Sequence, residues 1–213
     1  MQNALRIVAV ALVLAAIPAS AQSFADGKFG GRGFGSFGNI SFQAADSFDA
    51  VLGRNAGPIF GGGGQVLLPW GLYFDVGAWK FQQDGERVFV GPDREVFRLG
   101  IPVEIAITPL EITGGWRFRK WQRFVPYGGI GYSSYRYKET SDFSDPGENV
   151  DETFTGYHVV GGAEYLPLRW LAVGGEVGWS SIEDALGAGG ASAAFGETNL
   201  GGTSVRLKIS VGR

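Results

Sequence analysis

From about residue 37 onward, apolar and polar residues trade places at nearly every step along the chain. The last segment is the plainest. Thr203, Val205, Leu207, Ile209 and Val211 share one parity, and Ser204, Arg206, Lys208 and Ser210 take the other. A two-residue period puts successive side chains on opposite faces of an extended strand. Leu171, Val173, Val177 and Trp179 repeat the arrangement opposite Ala172, Glu176 and Ser180. Tyr157, Val159, Ala163 and Tyr165 oppose His158 and Glu164, and Leu72, Phe74, Val76 and Ala78 oppose Asp75. Leu110, Ile112, Trp116 and Phe118 oppose Glu111, Thr113 and Arg117. Upstream of Pro109 the apolar parity passes to Val103, Ile105 and Ile107, which predicts a β-bulge at a residue that has no N–H for the ladder. The pattern predicts eight strands, over 37–47, 58–68, 71–82, 103–119, 124–138, 153–166, 171–182 and 199–212.

The connections carry as much information as the strands. Three are short, at 69–70, 120–123 and 167–170, and four are long, at 48–57, 83–102, 139–152 and 183–198. Short turns at one end and long loops at the other are the pattern of a transmembrane β-barrel. Trp70, Trp121 and Trp170 stand in the three short turns, with Trp116 and Tyr165 a few residues away. These five are read as interface aromatics, since such rings gather where membrane meets water. Within 83–102, Asp84-Gly85 is a hairpin-turn dipeptide and Gly91-Pro92-Asp93 turns again. Two further strands there would be about five residues long against the ~9–11 that a crossing needs, so the stretch is read as an extracellular hairpin. The expected fold is all-β, an eight-stranded antiparallel transmembrane barrel.

Composition narrows the function. Glycine supplies 36 of 213 residues and aromatics 14%, which disfavours a helical fold. The absence of cysteine excludes disulfides and thiolate metal sites. A net charge of −3 lacks the basic excess of a nucleic-acid binder. Residues 1–21 read as a cleaved signal peptide: Arg6, an uncharged run over 7–17, Pro18, then Ala19-Ser20-Ala21. Residues 22–36 read as a flexible Gly/Phe-rich lead-in, and 37–213 as the barrel domain. Gly33, Gly35 and Gly38 match a dinucleotide fingerprint formally, but without the strand and helix that it requires.

The entry Thr108-Pro109-Leu110 leads to a strand ending Trp116-Arg117-Phe118, and Val125-Pro126-Tyr127-Gly128-Gly129 opens the next. On these, and on the alternating final strand, the chain resembles the small outer-membrane β-barrel family of the OmpA/OmpX type. Two features depart from that pattern: the last residues are Val211-Gly212-Arg213 rather than an aromatic end, and no peptidoglycan-binding domain is expected after them. The resemblance implies a location in a bacterial outer membrane, among outer-membrane lipid and lipopolysaccharide. It also implies insertion by the barrel-assembly machinery, as a monomer. The implied role is structural or surface interaction with no open channel.

The polar faces are where chemistry would sit. Eight strands leave an interior just wide enough for side chains to fill. Glu111, Arg117, His158, Glu164, Glu176, Arg206 and Lys208 are therefore expected to form a lumenal charge network, with Asp75 beside them. His158 is expected diagonally across from Glu176, a pairing suited to acid–base work. No serine nucleophile matches it, so no catalytic, cofactor or metal residue is assigned. The acidic loop with Glu139, Asp142, Asp145, Glu148, Asp151 and Glu152 lacks EF-hand spacing and is read as solvated. The Gly/Ala/Ser-rich stretch 185–196 is expected to be mobile. Two alternatives stand: a narrow pore or lipid-modifying barrel, and a secreted lipocalin-like barrel for an apolar ligand. The lipocalin-like barrel would turn Val177 inward and Glu176 outward.

Overall fold

The computed structural model describes residues 29–119, 123–143 and 149–212. The signal segment 1–21, the start of the lead-in, Trp121 and the carboxylates of Asp145 and Glu148 lie outside the described residues. The strands are β1 Gly30–Phe42, β2 Ala56–Leu67, β3 Leu72–Val90, β4 Val96–Arg117, β5 Phe124–Thr140, β6 Val150–Leu168, β7 Leu171–Ser181 and β8 Gly202–Gly212. Each pairs antiparallel with the next, and β1 closes on β8 from Arg32↔Gly212 to Phe42↔Gly202. Closure pairs both edges of each strand over the span that all eight share; β3 and β6 run on past their ladders with β2 and β7, which end at Lys80 and Tyr157. Among the described residues two helices interrupt the long loops: α1, Ala45–Leu52, between β1 and β2, and α2, Gly190–Phe195, between β7 and β8.

The wall is uneven. The strands β3 to β6 run 17 to 22 residues, whereas β1, β2, β7 and β8 run 11 to 13. The tall side continues past the long-loop end of the short side. Its outermost part is the expected hairpin, formed by β3 and β4 themselves rather than by separate strands. The reversal lies at Gly91–Glu95, closed by the Gly91 N–H donating to the Glu95 carbonyl at 2.9 Å. Asp84-Gly85 is no turn; it is paired in mid-strand, Asp84↔Glu104 and Gly85↔Val103. Glycine stands there because α1 crosses it: a Cβ at position 85 would lie 2.6 Å from the Val51 carbonyl oxygen.

Two further expectations are corrected. Residues 30–36 are not lead-in but the first half of β1, with Arg32 and Phe34 turned inward and buried. The outward partners in that stretch include Gly31 and Gly35, which have no side chain to mark the period. The predicted continuation to residue 47 is instead the start of α1. Nor is there a bulge at Pro109. Ala78↔Leu110 and Phe81↔Ile107 share one register, and the β4–β5 ladder is continuous through Pro109↔Tyr135. The parity never changes; the lumen does. Val103, Ile105 and Ile107 face inward like Glu111, Thr113 and Arg117, and all six are buried.

The barrel interior thus has two storeys. Toward the long loops it is apolar, built from Ile40, Phe42, Ile59, Phe81, Ile105 and Ile107. Helix α1 sinks Phe48 into this layer, stacked on Phe42 with ring centroids 4.3 Å apart. The helix has no side-chain cap of its own. Glu197, beyond α2, supplies it: its carboxylate accepts from the Asp46 N–H at 3.1 Å and the Ser47 N–H at 2.8 Å. A carboxylate suits the positive end of the helix dipole and satisfies otherwise orphaned donors. The stretch 185–196 carries α2, and at its start the Ala185 and Leu186 N–H groups donate to the Thr198 carbonyl at 3.0 and 3.1 Å.

Candidate functional site

Toward the short turns the lumen is charged, and every strand contributes to one connected chain of contacts. Glu164 of β6 accepts from both Arg32 of β1 at 3.1 Å and Arg117 of β4 at 2.6 Å. Arg32 also donates to Gln65 of β2 at 3.2 Å, and Gln65 to Asp75 of β3 at 3.3 Å. Lys208 of β8 lies 3.6 Å from both Asp75 and Glu176 of β7. Arg206 joins Glu176 at 2.9 Å to Glu111 at 3.1 Å, and Tyr127 of β5 donates to Glu176 at 2.9 Å. The four cations Arg32, Arg117, Arg206 and Lys208 meet the four carboxylates Asp75, Glu111, Glu164 and Glu176, all buried. Two cations also rest on rings: Arg206 lies 4.3 Å from the Trp79 centroid and Lys208 4.0 Å from that of Phe34. Hydrogen bonds and opposite charge on every side are what make buried ions tolerable.

The expected members Glu111, Arg117, Glu164, Glu176, Arg206 and Lys208 are all in this chain. Arg32, Gln65 and Tyr127 are the members that sequence reasoning missed. His158 is buried in the lumen but is not beside Glu176. The β6–β7 register sets His158 opposite Ser180 and Glu176 opposite Gly162, four residues along, or roughly 13 Å at strand rise. The imidazole instead lies 2.9 Å from Thr113 Oγ1 through Nε2 and 2.7 Å from Ser133 Oγ through Nδ1. Gly131 makes room for it, since a Cβ there would come within 2.6 Å of Cε1. Both ring nitrogens are engaged by hydroxyls, which fits a structural pin. His158→Ala is expected to leave those hydroxyls without their partner and to cost about 1–3 kcal/mol. Denaturant unfolding of the detergent-refolded barrel measures this.

The outer surface has the opposite character. Glu176 is 6% exposed and its neighbour Val177 is 53% exposed, the reverse of the lipocalin arrangement. Phe74, Val76, Ile112, Ile130, Val159, Val205, Leu207 and Ile209 face outward beside it. A soluble monomer does not carry a continuous apolar belt of this extent. Trp70, Trp116, Tyr165 and Trp170 are exposed at its short-turn border, as expected. A second aromatic border, not foreseen, is formed by Tyr132, Tyr157 and Trp179 at the other margin. Beyond that margin Arg136 forks Asp151 at 2.7 and 2.6 Å, and these hydrogen bonds hold the Asp151 carboxyl below its ordinary range.

A closed antiparallel barrel with a charged, filled lumen, an apolar belt and two aromatic borders is a membrane-spanning β-barrel of the outer-membrane kind. The family model of the outer membrane protein beta-barrel domain matches residues 7–211, and the chain belongs to that family. Its location is the outer membrane. Solved structures agree on the fold. Neisserial surface protein A superposes with a TM-score of 0.52 at 12% identity, covering 86% of this chain and 96% of that one. The attachment invasion locus protein Ail of Yersinia pestis, solved with a heparin analogue, gives 0.50 at 11% identity, covering 88% and 99%. No curated protein matches the chain in sequence.

Proposed function

We propose that this barrel is a closed scaffold that acts by contact at the cell surface, through the loops at its long-loop end, rather than by conduction or catalysis. The observation that carries this reading is the ion-pair chain spanning the lumen through all eight strands. Beside it, the void lined by Ile40, Ile59, Tyr135 and His158 measures only about 10 Å³, about the least space that holds one water. His158 is read as a structural rather than a catalytic residue, a reading supported by its burial and by the Thr113 and Ser133 hydroxyls that engage its two nitrogens within the barrel. On this reading the partners of the apolar belt are outer-membrane lipid and lipopolysaccharide, and the chain is inserted by the barrel-assembly machinery and works as a monomer. Purified protein reconstituted in planar lipid bilayers is expected to give no conductance steps above the bare membrane. Reproducible ohmic steps would overturn the closed-scaffold reading in favour of a narrow pore.

A further inference from the structure

A cleft of about 240 Å³ lies at the mouth, between α1 and α2 on one side and the tall wall of β3, β4 and β5 on the other. Its surface is mostly apolar: Phe48 and Val51 from α1, Val88, Leu99 and Ile105 from the wall, and Leu186 from the last loop. The polar side chains that border it are already partnered within the protein. Ser47 Oγ donates to Glu197 at 2.5 Å, and Ser192 Oγ donates to the Gly189 carbonyl at 3.0 Å. The Tyr137 hydroxyl donates to Glu139 at 3.0 Å, and Arg87 is engaged as well. A guest would therefore meet mostly apolar side chains, with the bordering polar side chains already engaged. The cleft is also built in advance. Glu197 clamps one end of α1, and Gln83 Nε2 donates to the Leu52 carbonyl at 3.3 Å at the other.

Size selects the guest. An apolar cavity of about 150 Å³ holds benzene, and drug-sized ligands need about 300 Å³ or more. We propose that this cleft is a binding site for a small, uncharged apolar molecule, about the size of one substituted aromatic ring. The proposal deepens the surface-contact reading by giving the mouth a ligand class, and its test reads out whether or not the lumen conducts.

The test is a toluene titration of the barrel in lipid nanodiscs, followed by methyl NMR. The methyl signals of Val51, Val88, Leu99, Ile105 and Leu186 are expected to shift together and saturate. Those of the lipid-facing Val177 and Val205 should drift linearly as toluene enters the bilayer. Two variants fill the cleft from opposite sides, Ala191→Trp from α2 and Leu99→Trp from β4. Each is expected to abolish the saturable shifts while the barrel still folds, seen as unboiled protein migrating differently from boiled protein on a denaturing gel. Shifts that never saturate, or that persist unchanged in both variants, would overturn the site.

Discussion

Glu164→Ala is expected to destabilise the refolded barrel by about 3–5 kcal/mol, the range for removing one partner of a buried ion pair. Glu164 is the shared acceptor of Arg32 and Arg117, and all three side chains are buried. Without it Arg32 retains Gln65, but Arg117 loses its carboxylate, and its Nε is already without a partner. The charge stays because a guanidinium does not give up its proton. Urea unfolding in detergent micelles measures the loss as a lowered midpoint. Arg136→Ala supplies the contrast: it breaks a pair of similar length whose members are both exposed, and the midpoint should hardly move. Equal shifts in the two variants would show that the lumenal chain contributes nothing beyond a surface pair.

One residue along β7 from Glu176, Val177→Arg puts a cation on the belt instead of in the lumen. Its strand neighbours are Gly161 and Val205; Gly161 stands four residues from each of the border rings Tyr157 and Tyr165 on β6, and along β7 Trp179 is two residues away. The expected cost is about 2–4 kcal/mol at that depth and about 0–1 near a border. Thr203→Arg, opposite Trp179 at the loop-side border, is the shallow comparison. The same unfolding measurement, made in lipid rather than detergent, should rank the two in that order. A neutral Val177→Arg would mean that this face does not meet hydrocarbon.

Where side chains alternate in both size and polarity, the fold was legible. The final strand shows its outward Val205 and Ile209 and its inward Arg206 and Lys208 without any structure, and the short turns with their tryptophans fix which end is which. Glycine hid the rest. Gly31 and Gly35 present nothing outward, so β1 lost its period and Arg32 went unrecognised as half of the Glu164 site. Gln65, behind the run Gly61-Gly62-Gly63-Gly64, was hidden in the same way. Ile105 and Ile107 misled for another reason. Alternation reports a contrast between faces without saying which face is the lumen, and its sign inverts where an apolar lumen backs a more polar exterior, as for Ile105 and Ile107 beside Glu104 and Thr108. Helix α1 has its own spacing, with Phe48, Val51 and Leu52 on one side, but its N-terminal signal sits about 150 residues away in Glu197.

The ion pairs join residues far apart along the chain: Arg32 to Glu164 across 132 positions, and Arg206 to Glu111 across 95. Arg32 of the first strand and Arg117 of the fourth find their counter-charge in the sixth, and Glu111 of the fourth finds its own only in the eighth. A sheet of five strands would carry Arg32 and Arg117 with no Glu164, and a sheet of seven would hold Glu111 and Glu176 with no Arg206. Such intermediates would have to take bare charge into the bilayer, at several kcal/mol per ion. Non-local pairing of this kind slows folding and denies it stable halfway stations. Assembly and membrane entry are thereby bound into a single event, because the lumen becomes electrically neutral only when β8 docks between β7 and β1.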